Sequence, residues 1–246
     1  MPSVPLLEVA DLCKRYPDGS RELVVLDDAS FEIFEDDFVG LWGLRRAGKS
    51  TLLRILAGLE PPDSGSVRFD DIELTELAPD ARVRFLRNQL ALASFGWPTH
   101  RNRSVCEHVA LAACADNRMT GRSARVLARR ALHRLSVVEC AERPLERLSL
   151  GEQIRVELAR AIVRGPRLLL IDDPPMLQSP TENTELHQLL RSLGEEPGRA
   201  VMLSACDTAP IQHAQRMMAL GRGRLRTMDV PGTVLPFPER TGTGRP

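Results

Sequence analysis

The stretch "FVGLWGLRRAGKSTLLRILAG", residues 38–58, constrains the fold more than any other part of this chain. A short apolar run leads into the pattern G-x-x-x-x-G-K-S, formed by Gly43, Gly48, Lys49 and Ser50, and an amphipathic helix follows. In such a strand–loop–helix arrangement, backbone N–H groups wrap phosphates, and the helix N-terminus favours their negative charge. The pattern therefore predicts a phosphate-binding loop in which Lys49 reaches the β- and γ-phosphates and Ser50 binds Mg²⁺.

The lysine in this loop is informative because the chain hardly uses lysine. Among 33 basic residues, only Lys14 and Lys49 are lysine. A strand–helix turn without a ligand would explain the glycines but not the retained lysine. A buried apolar strand, "RLLLIDD", ends in Asp172 and supplies the carboxylate expected to hold Mg²⁺, directly or through water.

Composition excludes several classes of protein. The 33 acidic residues balance the 33 basic ones, which argues against a dedicated nucleic-acid binder. Five cysteines without CxxC spacing indicate free thiols in a reducing compartment, not a disulfide framework or a zinc site. The N-terminus does not resemble a signal peptide, and no apolar stretch approaches the ~20 residues of a membrane span. We therefore expect any membrane span to come from another chain.

The order of strand and helix patterns predicts an α/β fold. Strands and helices alternate, which favours a mostly parallel sheet with flanking helices. A helical stretch interrupts the alternation, so we expect one domain over residues 4–230, with a core of 4–95 and 149–230 and a helical subdomain of about 96–148. The tail, 231–246, is rich in Pro, Gly and Thr and is expected to be mobile. An arginine-rich face within 121–137 is compatible with binding of RNA or lipid, but exposure to solvent explains it equally well.

A third motif points to a family. The stretch "LERLSLGEQIRVELARAIV" resembles the L-S-G-G-x-Q signature helix of ATP-binding-cassette (ABC) ATPases, and the resemblance extends over nearly the whole chain. The stretches "LDDASFEI", "AGLEPPDSGSV" and "EHVALA" are most similar to lipoprotein-releasing and macrolide-exporting ATPases. The resemblance implies a P-loop NTPase core with an N-terminal antiparallel β region and an inserted helical subdomain.

The resemblance also implies ligands and partners. Two ATP-binding subunits would pair head-to-tail, with ATP and Mg²⁺ between the phosphate loop of one and the signature helix of the other. The pair would sit on a membrane permease at the cytoplasmic face of the plasma membrane, without nucleic acid. The metal ligands would be Ser50 and Asp172. The nucleotide-binding residues implied are Tyr16, which would stack on adenine, then Gly43, Arg45, Arg46, Gly48, Lys49, Ser50 and Thr51 of the loop, and Ser149, Gly151 and Gln153 of the signature.

Departures from the family pattern concentrate at catalytic positions. Asp173 stands where the family has its catalytic glutamate, Cys206 where it has the switch histidine, and Phe95 where it has a glutamine. Ser179, Pro175 and Leu150 replace a usual aspartate, threonine and glycine. Phosphoryl transfer depends on positioning and electrostatics, so we expect slow or absent hydrolysis, with Asp173 as the remaining weak catalytic candidate.

Binding is a separate matter from hydrolysis. Arg46 adds a Cβ where the backbone must approach phosphate closely, but Arg45 and Arg46 also add positive charge there. We therefore expect nucleotide binding to survive. The pattern suggests a heterodimer in which this chain holds a quiet site and lends its signature to a competent partner, although a homodimer stays open. Two alternatives also remain: a non-enzymatic scaffold that lost nucleotide chemistry, and an active ATPase in which Asp173 suffices.

Overall fold

Two β-sheets form the framework of the chain in a computed structural model that describes residues 4–19, 21–95, 103–114 and 120–228. The strands are β1 (Leu7–Asp18), β2 (Arg21–Ile33), β3 (Phe38–Trp42), β4 (Ser64–Phe69), β5 (Ile72–Glu73), β6 (Leu90–Ser94), β7 (Leu168–Asp172), β8 (Ala200–Ala205), β9 (Arg216–Gly221) and β10 (Arg224–Met228). The helices are α1 (Lys49–Leu56), α2 (Pro79–Gln89), α3 (Val105–Ala113), α4 (Gly121–Arg134), α5 (Leu150–Ile162) and α6 (Pro180–Gly194).

The larger sheet places the phosphate loop. Its six strands run in the order β10-β9-β3-β8-β7-β6, and all neighbours pair in parallel except β10 with β9. Trp42 pairs with Ala205, and Asp172 pairs with Ser204, so β3, β8 and β7 end side by side. Parallel strands expose their carboxyl ends at one edge, where ligands bind in open α/β sheets.

The smaller sheet is antiparallel and N-terminal, in the order β2-β1-β4-β5. The mostly parallel sheet, the N-terminal antiparallel region and the flanking helices confirm the predicted fold class. The apolar positions of β7 and β8 alternate between two buried clusters: Leu169 and Val201 join one, whereas Leu170 and Met202 join the other. This alternation shows that the sheet is buried on both faces, as parallel sheets are.

Helices α3 and α4 lie between β6 and β7 in sequence, where the helical stretch was predicted. On α4, Arg125 pairs with Glu107 and Arg129 pairs with Glu142, which fits a solvated face. The exact subdomain boundaries stay a prediction, and residues 96–102 and 115–119 lie outside the described residues. The predicted mobile tail, 231–246, lies outside them as well. Within the described residues, no helix is both long and apolar enough to cross a membrane.

Candidate functional site

The loop between β3 and α1 approaches other backbone so closely that two of its positions require glycine. A Cβ on Gly43 would lie 2.7 Å from the Leu220 carbonyl oxygen, and one on Gly48 would lie 2.8 Å from the Val25 carbonyl oxygen. Gly48 also has φ of +105° and caps the N-terminus of α1 without a side-chain hydrogen bond. The sequence thus builds a helix start whose backbone N–H groups are open to an anion.

Lys49 is buried at the first position of α1, with 5% of its surface exposed. Its ammonium donates hydrogen bonds to the Gly43 carbonyl at 2.7 Å, to the Leu44 carbonyl at 3.2 Å and to Cys206 Sγ at 3.1 Å. Asp173 Oδ2 lies 3.7 Å from the same Nζ atom. The lysine therefore links the loop to the ends of β7 and β8.

The two residues predicted to bind metal lie together. Ser50 Oγ donates to Asp172 Oδ1 at 3.0 Å, and Ser204 Oγ donates to the same oxygen at 3.0 Å. A hydroxyl beside a carboxylate is a donor set that suits Mg²⁺. No group of three or more His, Cys, Asp or Glu residues able to hold a metal occurs in the described part of the chain. A metal here would therefore take its other ligands from phosphate and water.

Asp173 and Cys206, which we predict to stand at the positions of the family's glutamate and histidine, contact each other. Asp173 Oδ1 accepts from the Cys206 backbone N–H at 3.0 Å, and Oδ2 accepts from Cys206 Sγ at 2.8 Å. Burial, reinforced by the hydrogen bond to Asp173, raises the pKa of the Cys206 thiol above its ordinary 9.0. Near neutral pH the thiol is therefore protonated and donates to the carboxylate.

Tyr16, predicted to stack on adenine, is fixed by its hydroxyl. The hydroxyl donates to Glu60 and lies 3.4 Å from Thr51 Oγ1, and the Lys14 ammonium lies 5.5 Å from the ring centroid. Arg54 Nε donates to the same Glu60 carboxylate at 3.1 Å. Glu60 and Thr51 therefore hold the Tyr16 hydroxyl, and stacking of the ring on adenine stays a prediction.

A cavity of about 740 Å³ unites most of the predicted residues. It is lined by Tyr16, by the loop from Arg45 to Thr51, and by Asp173 and Cys206. Phe95, which we predict to stand at the position of the family's glutamine, lines an adjoining cavity with Ser50 and Asp172.

Sequence reasoning missed His187, which lines the larger cavity from α6. Burial lowers the pKa of His187, although Asp207 opposes the shift, so the imidazole is neutral near neutral pH. Asn183, Leu186, His187 and Leu190 all line the cavity, and their spacing of three and four residues places them on one helix face. That spacing is the signal that could have found His187.

The predicted signature residues lie elsewhere. Ser149, Gly151 and Gln153, all among the described residues, do not line the cavity. Ser149 caps α5: its hydroxyl accepts from the Glu152 N–H, and the Glu152 carboxylate accepts from the Ser149 N–H. Gln153 Nε2 donates to the Leu148 carbonyl at 2.9 Å. Within one chain, the signature and the phosphate loop are separate sites.

Arg45 and Arg46 are both exposed at the cavity wall. Arg46 has φ of +64°, the left-handed region that glycine adopts without cost. The loop therefore keeps a glycine-like backbone at this position and carries a positive side chain as well.

Comparisons with known proteins show which family the chain resembles. A family model described as "ABC transporter" matches residues 26–176. The macrolide export ATP-binding/permease protein MacB of Burkholderia thailandensis is 32% identical over 222 residues, which are 90% of this chain and 34% of that protein. An uncharacterized ABC transporter ATP-binding protein of Mycobacterium tuberculosis is 30% identical over 225 residues, 90% of this chain and 89% of that protein. The chain thus spans about a third of the length of its MacB relative.

Solved structures show the same fold. The ATP-binding cassette MJ0796, in a dimeric post-hydrolysis state bound to ADP and Pi, has a TM-score of 0.84 at 26% identity. The match covers 92% of this chain and 100% of that one. A subunit of a clostridial complex, cbiO1, matches with a TM-score of 0.76 at 22% identity over 91% of this chain and 88% of that one.

Proposed function

The chain belongs to the ABC transporter family, and from that premise we propose that it is an ATP-binding subunit that grips MgATP and hydrolyses it slowly or not at all. The observation that carries the proposal is the set of contacts around Lys49. The loop, the lysine and the Ser50–Asp172 pair are in place, whereas the two residues at catalytic positions contact each other and the lysine.

Binding is supported by volume, charge and donor chemistry. The cavity of about 740 Å³ lies within the roughly 300–1,000 Å³ typical of ligand pockets. Arg45, Arg46 and Lys49 supply positive charge to a triphosphate, and the open start of α1 supplies N–H groups. Ser50 and Asp172 would hold Mg²⁺, which would neutralise the β- and γ-phosphates.

Weak hydrolysis is supported by the chemistry of the replaced residues. A base must reach the attacking water, but both oxygens of Asp173 already accept hydrogen bonds from Cys206. Asp173 is also shorter than glutamate by one C–C bond, roughly 1.5 Å, and a misplacement of about 1 Å can cost on the order of 100-fold in rate. Phe95 has no polar group to orient water.

Pairing with a second cassette follows from the separation of the two motifs. Since the signature residues lie outside the cavity of their own chain, a second subunit would complete the site, as the dimer of MJ0796 with ADP and Pi suggests by analogy. We propose a heterodimer. A partner with intact catalytic residues could hydrolyse the ATP bound to its own phosphate loop, while Ser149 and Gly151 of this chain contact that ATP.

A permease is the remaining partner. The MacB relative is named as both an ATP-binding protein and a permease, and this chain matches 34% of it. We infer that closure of the cassette pair around ATP drives a membrane permease from its cytoplasmic face. The transported substrate is a property of that permease.

Steady-state phosphate release tests the proposal, with Lys49→Ala as the blank. We expect the purified chain to bind MgATP in calorimetry and to release phosphate no faster than Lys49→Ala. Release well above that blank would show an active ATPase, and the absence of bound nucleotide would show a scaffold.

Co-purification tests the heterodimer. We expect a second cassette protein with a glutamate and a histidine at the two catalytic positions to co-purify with this chain in the presence of MgATP. A stable homodimer that hydrolyses ATP would contradict it.

A further inference from the structure

Lys49 has no hydrogen-bond donor to spare. A lysine ammonium carries three N–H groups, and the Gly43 carbonyl, the Leu44 carbonyl and Cys206 Sγ accept three hydrogen bonds. A phosphate oxygen can therefore gain a hydrogen bond from this lysine only by replacing one of these acceptors.

Cys206 is the acceptor most easily replaced. Sulfur is a weak acceptor, whereas the two carbonyls belong to the loop that must itself stay folded around the phosphates. Cys206 also donates to Asp173 Oδ2 at 2.8 Å, and that oxygen lies 3.7 Å from Lys49 Nζ. A phosphate that replaces Cys206 thus also competes with the Asp173 carboxylate for one cation.

The end of β8 fixes Asp173 in this position. The Asp173 N–H donates to the Ser204 carbonyl at 3.1 Å and lies 3.0 Å from Ser204 Oγ, and the carboxylate accepts from the Cys206 N–H. Asp173 also has φ of +46°, a left-handed backbone that is rare for a residue with a side chain. The backbone at the ends of β7 and β8 therefore holds the Asp173 carboxylate beside Lys49.

We propose that Asp173 and Cys206 form a clamp on Lys49: they are positioning residues that neutralise and hold the lysine until a nucleotide phosphate displaces them. In this role Asp173 restrains nucleotide binding instead of activating water. The inference rests on the proposed function, because it assumes that a nucleotide enters the cavity.

Affinity for an unhydrolysable ligand tests the clamp. The probe is the β,γ-imido analogue of ATP with Mg²⁺, so that turnover does not affect the dissociation constant. We expect Asp173→Asn to tighten binding on the order of fivefold, since a partly exposed carboxylate no longer competes for the lysine.

Asp207→Asn is the matched control. Asp207 lines the same cavity and carries the same charge, but it is exposed, and its carboxylate accepts from the Ala209 N–H, with no contact to Lys49 among the described residues. We expect less than about a twofold change. An equal gain in Asp207→Asn would mean that general electrostatics accounts for the effect, and it would overturn the clamp.

Substitution of the thiol separates a clamp from a merely structural cysteine. Cys206→Ala removes the thiol that bridges Lys49 and Asp173 and leaves only their direct contact at 3.7 Å, and we expect about two- to threefold tighter binding. Cys206→Ser keeps a group that donates and accepts, and its oxygen is a stronger acceptor than sulfur, so this variant should bind the analogue no more tightly than the original chain. Cys114→Ala, a half-buried thiol away from the cavity, should change nothing. A Cys206→Ser variant that binds the analogue as tightly as Cys206→Ala would count against the clamp.

Lysine NMR tests the clamp without nucleotide. Because Lys14 and Lys49 are the only lysines, ¹⁵N-lysine labelling gives two ammonium signals. We expect Asp173→Asn and Cys206→Ala to move the Lys49 signal and Asp207→Asn to leave it in place. A Lys49 signal that does not respond overturns the clamp even if the chain binds ATP. A responsive signal with no nucleotide binding in any variant would instead overturn the proposed function.

Discussion

Helices α1 and α5 begin in opposite ways, although both are predicted to touch phosphate. At α1, Gly48 provides no side chain, and the first turn contains no acidic residue, so the helix start is open. At α5, Ser149 and Glu152 satisfy each other's backbone N–H groups, and the first turn is acidic. The open start can bind an anion within one chain, whereas the closed start must rearrange or be approached through the Ser149 hydroxyl.

The difference separates the two functions that we propose for the two helix starts. The α1 start carries Lys49 and faces the cavity, so the proposed binding of nucleotide is assigned to it. The α5 start is stabilised as an ordinary capped helix, with Leu150 44% exposed beside it. Under the proposed function its contribution to ATP chemistry depends on a partner, and each of the two starts can be altered separately.

The largest expected effect is that of Gly48→Ala. The new Cβ would clash with Val25, and alanine would have to adopt the positive φ of Gly48. The substitution should therefore destabilise the fold by about 2–3 kcal/mol and abolish nucleotide binding. Gly121→Ala is the control, since a Cβ there meets nothing within 4 Å. Urea denaturation and calorimetry measure the two effects. Equal behaviour of the two variants would show that the loop is not as tightly packed as described.

Ser149→Ala should cost about 1 kcal/mol, the usual contribution of an N-cap side chain. Ser104→Ala is a matched variant, because Ser104 and Glu107 form the same capping box at α3. Both should lower the urea midpoint similarly, but only Ser149→Ala should slow ATP turnover in a complex with a competent partner. If Ser104→Ala slows turnover equally, the signature has no special role.

Glu152→Gln should remove a smaller, pH-dependent contribution of about 0.5–1 kcal/mol. Burial tends to raise the pKa of Glu152, but hydrogen bonds from Cys140, the Ser149 N–H and Arg143 outweigh it and lower the pKa below the ordinary 4.5. A lowered folded-state pKa stabilises the fold above the unfolded value and loses this effect as pH falls through the folded value. The difference in urea midpoint between the two proteins should thus be full at pH 7, begin to decline near the ordinary value of 4.5, and vanish below the lowered pKa of the folded state. A difference that does not change with pH would contradict the role of the charge.

Arg46→Gly should have the smallest effect on the fold, a stabilisation of about 0.5 kcal/mol. Glycine adopts the left-handed backbone of this position without strain, but it also raises the entropy of the unfolded chain, which offsets part of the gain. Loss of the positive charge should weaken MgATP binding a few-fold, on the order of 1 kcal/mol. Thermal unfolding measures the change in stability, and calorimetry measures the change in affinity for MgATP. Tighter nucleotide binding would show that the Cβ, and not the charge, dominates at this position.

The sequence was sufficient to predict the α1 start and the fold class, because the loop pattern and the alternation of elements are local signals. It did not predict α2 or β6: α2 buries Leu86 alone, and β6, "LALAS", has no β-branched residue. The contacts among Lys49, Asp173 and Cys206 join three segments, and no local pattern tells which way each side chain turns. The capping box at the start of α5 could have been predicted from the sequence, since S-x-x-E is its signature.

The identity of the nucleotide that the chain retains tests most directly whether it binds ATP without hydrolysing it. The purified chain is incubated with MgATP, freed of unbound nucleotide by rapid gel filtration, and its bound nucleotide is identified by chromatography over time. We expect the bound nucleotide to remain ATP, and Lys49→Ala to retain none. Bound ADP that accumulates with time, or no bound nucleotide at all, would contradict the account.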